Sequence, residues 1–129
     1  MLFRSLFLDS PYVDIKTVLK DNSDRASIPP WTIEVISFSV RILRGHSFTE
    51  TNPLDGLVAR PQQPIYWVHG TADQTVGFHH ARRAREAVSA DASKTFFMPD
   101  GLGHVATMWD RPSEYRLALL SFFDEHLKD

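Results

Sequence analysis

His69-Gly70-Thr71-Ala72-Asp73-Gln74-Thr75-Val76 sets a carboxylate just past an apolar block, and Gly101-Leu102-Gly103-His104 sets an imidazole in a glycine-loosened loop. A carboxylate that accepts a hydrogen bond from one ring nitrogen fixes the tautomer, and the other nitrogen can then take the proton of a nucleophile. Asp73 and His104 are therefore the candidate acid and base of a nucleophile-base-acid triad. Its third member is missing: no serine stands in a G-x-S-x-G setting, and the chain has no cysteine. Singly, each residue has a plainer role, Asp73 as a turn residue that binds backbone amides and His104 as an ordinary loop histidine. The joint pattern of strand, H-G-x-x-D-x-x-V, strand and G-x-G-H is what points to chemistry.

That chemistry needs two separate loops side by side, which adjacent parallel strands supply, since their ends lie about 5 Å apart across a ladder. The apolar run Leu2 to Leu8 predicts a strand covered on both faces, stopped by Asp9-Ser10-Pro11. Residues 13 to 20 predict one or two helical turns, and Asp21 to Arg25 a polar loop. Pro29-Pro30 opens a longer helix, with Trp31, Val35, Phe38 or Ser39, and Ile42 on one stripe and Gly45 as its C-terminal cap. Residues 46 to 63 are turn-rich, with a short helical piece at Leu54 to Ala59. Pro64 to His69 is the second strand. Phe78 to Val88 is a helix with Ala81, Ala84 and Val88 inward and Arg82, Arg83 and Glu86 outward. Lys94 to Met98 is the third strand, cut off by Pro99-Asp100-Gly101. Ser113 caps a last helix whose stripe is Tyr115, Ala118, Leu119, Phe122 and His126. Alternating strands and helices predict an α/β fold of three parallel strands with flanking helices. Asp73 and His104 then fall at the carboxyl ends of the strands, where open sheets of this kind gather their functional groups.

The 129 residues, 43% hydrophobic and 12% aromatic, fit one domain with a real core. A formal net charge of -2 gives no electrostatic reason to expect nucleic acid or an anionic membrane. The amino-terminal apolar run is too short to span a bilayer and is interrupted too early for a signal peptide. Without cysteine there is neither a disulfide framework nor a thiolate metal site, and a cytoplasmic location is expected. A chain that opens directly on a buried-type strand also suggests sequence upstream.

Other candidates are weaker. Ser10 stands at a sharp strand end, but Pro11 has no N–H to help bind an oxyanion, and Asp9 and Pro11 are not the small neighbours an elbow requires. A turn or helix cap is its expected role. His79 and His80, with His69 nearby, suggest a metal, yet neighbours at i and i+1 are not expected to face one ligand and no H-E-x-x-H is present. No metal or cofactor is expected. Arg82, Arg83 and Arg85 read as a solvated face. The aromatic helix from Trp31 to Leu43 is either plain core or a cap over a substrate pocket.

The sequence resembles the α/β-hydrolase family, in particular serine hydrolases of the esterase and peptidase type. Pro64 to Val76 looks like that family's acid-bearing strand and turn, Gly103-His104-Val105 its histidine loop, and Tyr115 to Leu127 its closing helix. Leu6-Phe7-Leu8-Asp9-Ser10-Pro11 is similar to the strand that follows the nucleophile helix. The resemblance implies a partial α/β-hydrolase fold, the C-terminal portion of the domain over residues 1–129, with a candidate cap segment at 12–60. It implies Asp73 and His104 as catalytic acid and base, and ester or amide hydrolysis in a complete enzyme with a small acyl or peptide substrate. The first strands, the oxyanion loop and the nucleophile elbow have no counterpart, so the isolated chain is expected to be inert. The alternative is a non-catalytic interaction module that keeps the scaffold. Either way, the strand at residues 2–8 is expected to have an unpaired edge, open to a missing N-terminal half or to a second copy.

Overall fold

The computed structural model describes residues 4–47, 50 and 52–127. Three runs of apolar and β-branched residues pair in parallel: β1 (Leu6–Asp9), β2 (Ile65–Val68) and β3 (Lys94–Phe97), in the order β1-β2-β3. Leu8 lies beside Trp67 and Trp67 beside Phe96, which sets the register. The pleat sends Leu6, Leu8, Ile65, Trp67 and Phe96 to one face, where they meet Val13, Leu57, Ala81, Ala84 and Val88 in the main core. Phe7 and Tyr66 leave from the other face, stack with their ring centroids 5.1 Å apart, and meet Phe122. Such aromatic contacts add about 0.5–1.5 kcal/mol each beyond area burial.

The helices are α1 (Ile15–Arg25), α2 (Trp31–Arg44), α3 (Pro53–Val58), α4 (His79–Ala87), α5 (Thr107–Asp110) and α6 (Pro112–His126). Ala81 and Ala84 on α4 are fully buried, and their small side chains let the helix lie close to the sheet. On α6 the expected stripe turns inward, with Phe122 buried and Tyr115, Ala118, Leu119 and His126 partly so.

Several expectations are corrected. β1 runs from residue 6 to 9 and not from 2 to 8, because its partner strand starts at Ile65 and the ladder continues past Leu8 through the Ser10 N–H to the Val68 carbonyl at 2.8 Å. Leu2 and Phe3 lie outside the described residues. Asp21 to Arg25 is helix and not loop. Asp14 caps α1 by accepting from the Lys16 and Thr17 amides, and Asn22 ties the helix to the next layer by donating to the Thr75 carbonyl at 2.8 Å. The polar run is the solvated side of a helix held by tertiary contact. Ser113 does not cap α6; Arg111 is the cap residue and Pro112, whose φ is preset, starts the helix. α5 was not expected at all.

Gly45 takes φ +77° and closes α2 as expected. The stripe on α2 does not pack into the core: Trp31, Phe38 and Ile42 are 64%, 66% and 69% exposed, and the helix buries Ser37 instead, bonded to Ser47 at 2.6 Å. The plain-core reading of this helix therefore fails.

At the opposite end of the strands from the candidate site, Lys94 is buried, and its ammonium reaches the carbonyls of Arg60 (3.1 Å) and Gln63 (2.8 Å), Ser93 Oγ (2.9 Å) and Asp91 Oδ2 (2.8 Å). The Lys94 ammonium and the Ser93 hydroxyl hold the Asp91 carboxyl far below the usual carboxylate range. One charge thus ties the loop before β2 and the loop after α4 to the start of β3. Removing the ammonium takes a donor from the Arg60 and Gln63 carbonyls and the counter-charge from Asp91, which keeps some contact with solvent. Lys94→Met is expected to lower unfolding stability by about 1–3 kcal/mol, read from urea midpoints; a midpoint equal to that of the unaltered protein would refute this role.

Candidate active site

Parallel pairing between β2 and β3 continues beyond both strands. The His69 amide donates to the Phe97 carbonyl at 3.0 Å, Thr71 to Pro99 at 3.1 Å and Ala72 to Leu102 at 2.9 Å. The Thr71 hydroxyl accepts from the Gly101 amide and donates to Asp100 Oδ1, both at 2.8 Å. Gly70 makes this approach feasible. A Cβ there would stand 2.2 Å from the Leu102 carbonyl oxygen and 2.8 Å from that of Gly103. The acid loop and the histidine loop are in backbone contact, with no room for a side chain between them.

This contact brings Asp73 and His104 together: His104 Nδ1 lies 2.8 Å from Asp73 Oδ2. Asp73 has no exposed side-chain surface, and its other oxygen accepts from the amides of Thr75 and Val76 at 2.9 Å each. The turn role foreseen for Asp73 is real, and it fixes the carboxylate rather than competing with the histidine. An ionised carboxylate only accepts, so Nδ1 carries the proton and Nε2 keeps its lone pair. With 36% of the side chain exposed, the His104 ring is open to a reacting group.

His69 belongs to this site, whereas the sequence offered it only as a strand end and as a neighbour of the His79–His80 pair. It is fully buried; its Nε2 donates to the Val76 carbonyl at 2.8 Å and lies 3.4 Å from Asp73 Oδ2, while its Nδ1 accepts from the Trp67 indole at 3.4 Å. Burial holds its pKa below 6.5, against the opposing pull of the Val76 carbonyl and Asp73. A neutral ring thus braces the loop that carries the acid. The signal for it was the i, i+4 spacing from Asp73 at the end of a buried strand.

His79 and His80 do approach one another, contrary to the expectation for helix neighbours. Their ring centroids are 4.4 Å apart, and potential ligand atoms of Asp21, His79 and His80 lie within 4.8 Å of one another. The cause is Gly77: a Cβ there would lie 2.6 Å from the His79 ring, so the glycine lets that ring fold back towards Asp21 at the helix start. His69 is not part of the cluster. His80 Nδ1 accepts from the Val13 amide at 3.3 Å, which leaves Nε2 protonated, buried and without a hydrogen-bond partner.

Ser10 takes φ +49° and is buried; its hydroxyl donates to Asp9 Oδ1 and accepts from the Val105 amide, each at 3.2 Å. Both capacities of the hydroxyl are used inside the protein. Arg82, Arg83 and Arg85 lie on the exposed face of α4, with Arg83 3.7 Å from Asp14.

No family model and no curated protein matches the sequence. Solved structures do match. An esterase from Pyrococcus furiosus aligns with 95% of this chain and 46% of its own, at 16% identity and a TM-score of 0.68. An α/β-hydrolase enzyme from the metagenome of lagoon sediments at Mar Chica, Morocco, aligns with 95% of this chain and 50% of its own, at 18% identity and a TM-score of 0.54. The chain therefore has part of the α/β-hydrolase fold and spans about half the length of these structures. No helix among the described residues is long and apolar enough to cross a membrane.

Gly70→Ala is expected to push the two loops apart and destabilise the fold by about 1–3 kcal/mol, as overpacking does. Denaturant unfolding that matches the unaltered protein would show that the contact yields freely. Acid should act through His80, which burial and then the charges of His79 and Arg83 push down to about 4 from 6.5, against the pull of Asp21 and Asp14. The unfolded chain takes up this proton first as pH falls, so stability is retained above about 6.5 and lost progressively towards about 4. His69 adds a loss of the same sign. Unfolding midpoints across that window should fall by a few kcal/mol equivalent, and His80→Gln should flatten the slope; an unchanged slope would remove His80 as its source.

Proposed function

We propose that the chain is the C-terminal part of a serine-type α/β-hydrolase that cleaves esters or amides, with Asp73 as the acid and His104 as the base. The observation that carries this reading is the 2.8 Å contact between Asp73 Oδ2 and His104 Nδ1. With Nδ1–H held by a buried carboxylate, Nε2 takes the proton of a hydroxyl nucleophile, and Asp73 stabilises the imidazolium that results. The same ring then returns the proton to the leaving group. Ser10 is not that hydroxyl, because its oxygen is buried and engaged on both sides. The nucleophile and the oxyanion donors come from a segment other than the described one, joined in the same polypeptide or supplied by a partner. Residues 12–60 form the cap segment, whose helix α2 offers an apolar face to a small acyl or peptide substrate.

The place for that segment is supported by the free edge of β1, which has no partner strand among the described residues. Beside it runs an apolar groove of about 400 Å³ lined by Leu6, Leu8, Tyr12, Leu57, Ile65 and Trp67. The same edge favours a second reading, a non-catalytic module that pairs with a second copy through β1.

The isolated chain is expected to leave an activated acyl ester untouched. Hydrolysis that disappears in His104→Ala would instead reveal a nucleophile within these residues. In a longer chain that carries G-x-S-x-G, Asp73→Asn should lower kcat on the order of 10⁴, and His104→Ala on the order of 10⁶. Full activity in either variant would end the proposal. Sedimentation separates the second reading: a module built on β1 forms stable dimers at concentrations of roughly tens of micromolar, and a strict monomer rejects it.

A further inference from the structure

Val105, the residue after His104, is a β-branched residue held at φ +52°, and Ser10 across from it is held at φ +49°. Neither is a glycine, and left-handed backbone is a genuine outlier for a β-branched side chain. Such conformations persist only where surrounding contacts impose them. Here the two strained residues are bonded to each other, Val105 N–H donating to Ser10 Oγ at 3.2 Å. On the N-terminal side of His104 the loop is held to the acid loop through Gly101 and Leu102, bonded to Thr71 and Ala72; on its C-terminal side the Val105 amide is held by Ser10.

We propose that Ser10 is a positioning residue that aims the His104 imidazole at Asp73, by holding the Val105 amide on a hydroxyl anchored to Asp9. The chain of contacts runs from the Asp9 carboxylate to the Ser10 hydroxyl, to the Val105 amide and so to the ring beside it. It has a rigid base. The Ser10 amide is bonded to the Val68 carbonyl at 2.8 Å, which makes the turn a continuation of the sheet. Tyr115 on α6 faces Asp9, and burial, then that carboxylate, pushes its phenol up to about 12, so it stays a protonated neighbour. A charged acceptor polarises the hydroxyl and strengthens its hold on the amide. This inference rests on the acid–base reading of Asp73 and His104.

The test compares the unaltered protein with Ser10→Gly and Ser10→Ala by ¹⁵N NMR at a pH where the ring is neutral. Glycine relieves the left-handed backbone while removing the hydroxyl, so a residue needed only for its turn would tolerate it. In the unaltered protein, long-range ¹H–¹⁵N spectra should show His104 fixed as the Nδ1–H tautomer and the Val105 amide protected from exchange. Ser10→Gly and Ser10→Ala should mix the tautomers and lower Val105 protection on the order of tenfold, the loss of one hydrogen bond, with the remaining amides unchanged. A fixed tautomer and full Val105 protection in Ser10→Gly would overturn the role of Ser10 alone. A mixed tautomer in the unaltered protein would overturn the acid–base reading beneath it.

Discussion

The close passage of Gly70 against the carbonyls of Leu102 and Gly103 is the constraint on which the candidate site depends. Strands of four residues end well short of Asp73 and His104, and loops leaving a twisted sheet would ordinarily diverge. Amide-to-carbonyl bonds at Thr71 and Ala72 keep them together for another turn of chain. Only a residue without a side chain allows that approach. The carboxylate and the imidazole then meet as a consequence of backbone geometry, before any attraction between them contributes.

Three histidines show how surroundings assign different work to one side chain. His69 is sealed under the acid loop, its ring nitrogens used by the Val76 carbonyl and the Trp67 indole, and it acts as a neutral brace. His80 is sealed beneath α1, where burial keeps it uncharged and its Nδ1 receives a backbone amide. His104 alone combines a buried carboxylate partner with a ring open to the outside. The distinction lies in access and partners, not in residue type.

These differences also mark what was legible in the sequence. The parallel sheet and the inward faces of α4 and α6 could be read because apolar period and glycine or proline punctuation are local signals. The meeting of the two loops was legible from their motifs at the ends of adjacent strands. Asp21 to Arg25 was not, since a polar run reads as loop until Asn22 is seen bonded to Thr75 in another element. The stripe on α2 carried the right period, yet period cannot say whether a face meets core or water. His69 and Lys94 were missed for a shared reason: a polar residue at a strand end gives no sign that it is buried, because backbone carbonyls, which carry no sequence signal, are among its partners.

The edge of β1, without a partner strand among the described residues, has a thermodynamic consequence. A strand that paired there would bind the folded chain and not the unfolded one, so by mass action the stability of the fold would rise with the logarithm of that strand's local concentration. Tethering within one polypeptide would make that concentration a constant set by linker length. Supplied by a separate molecule, it would become a variable, and the persistence of this fold would track the abundance of its complement.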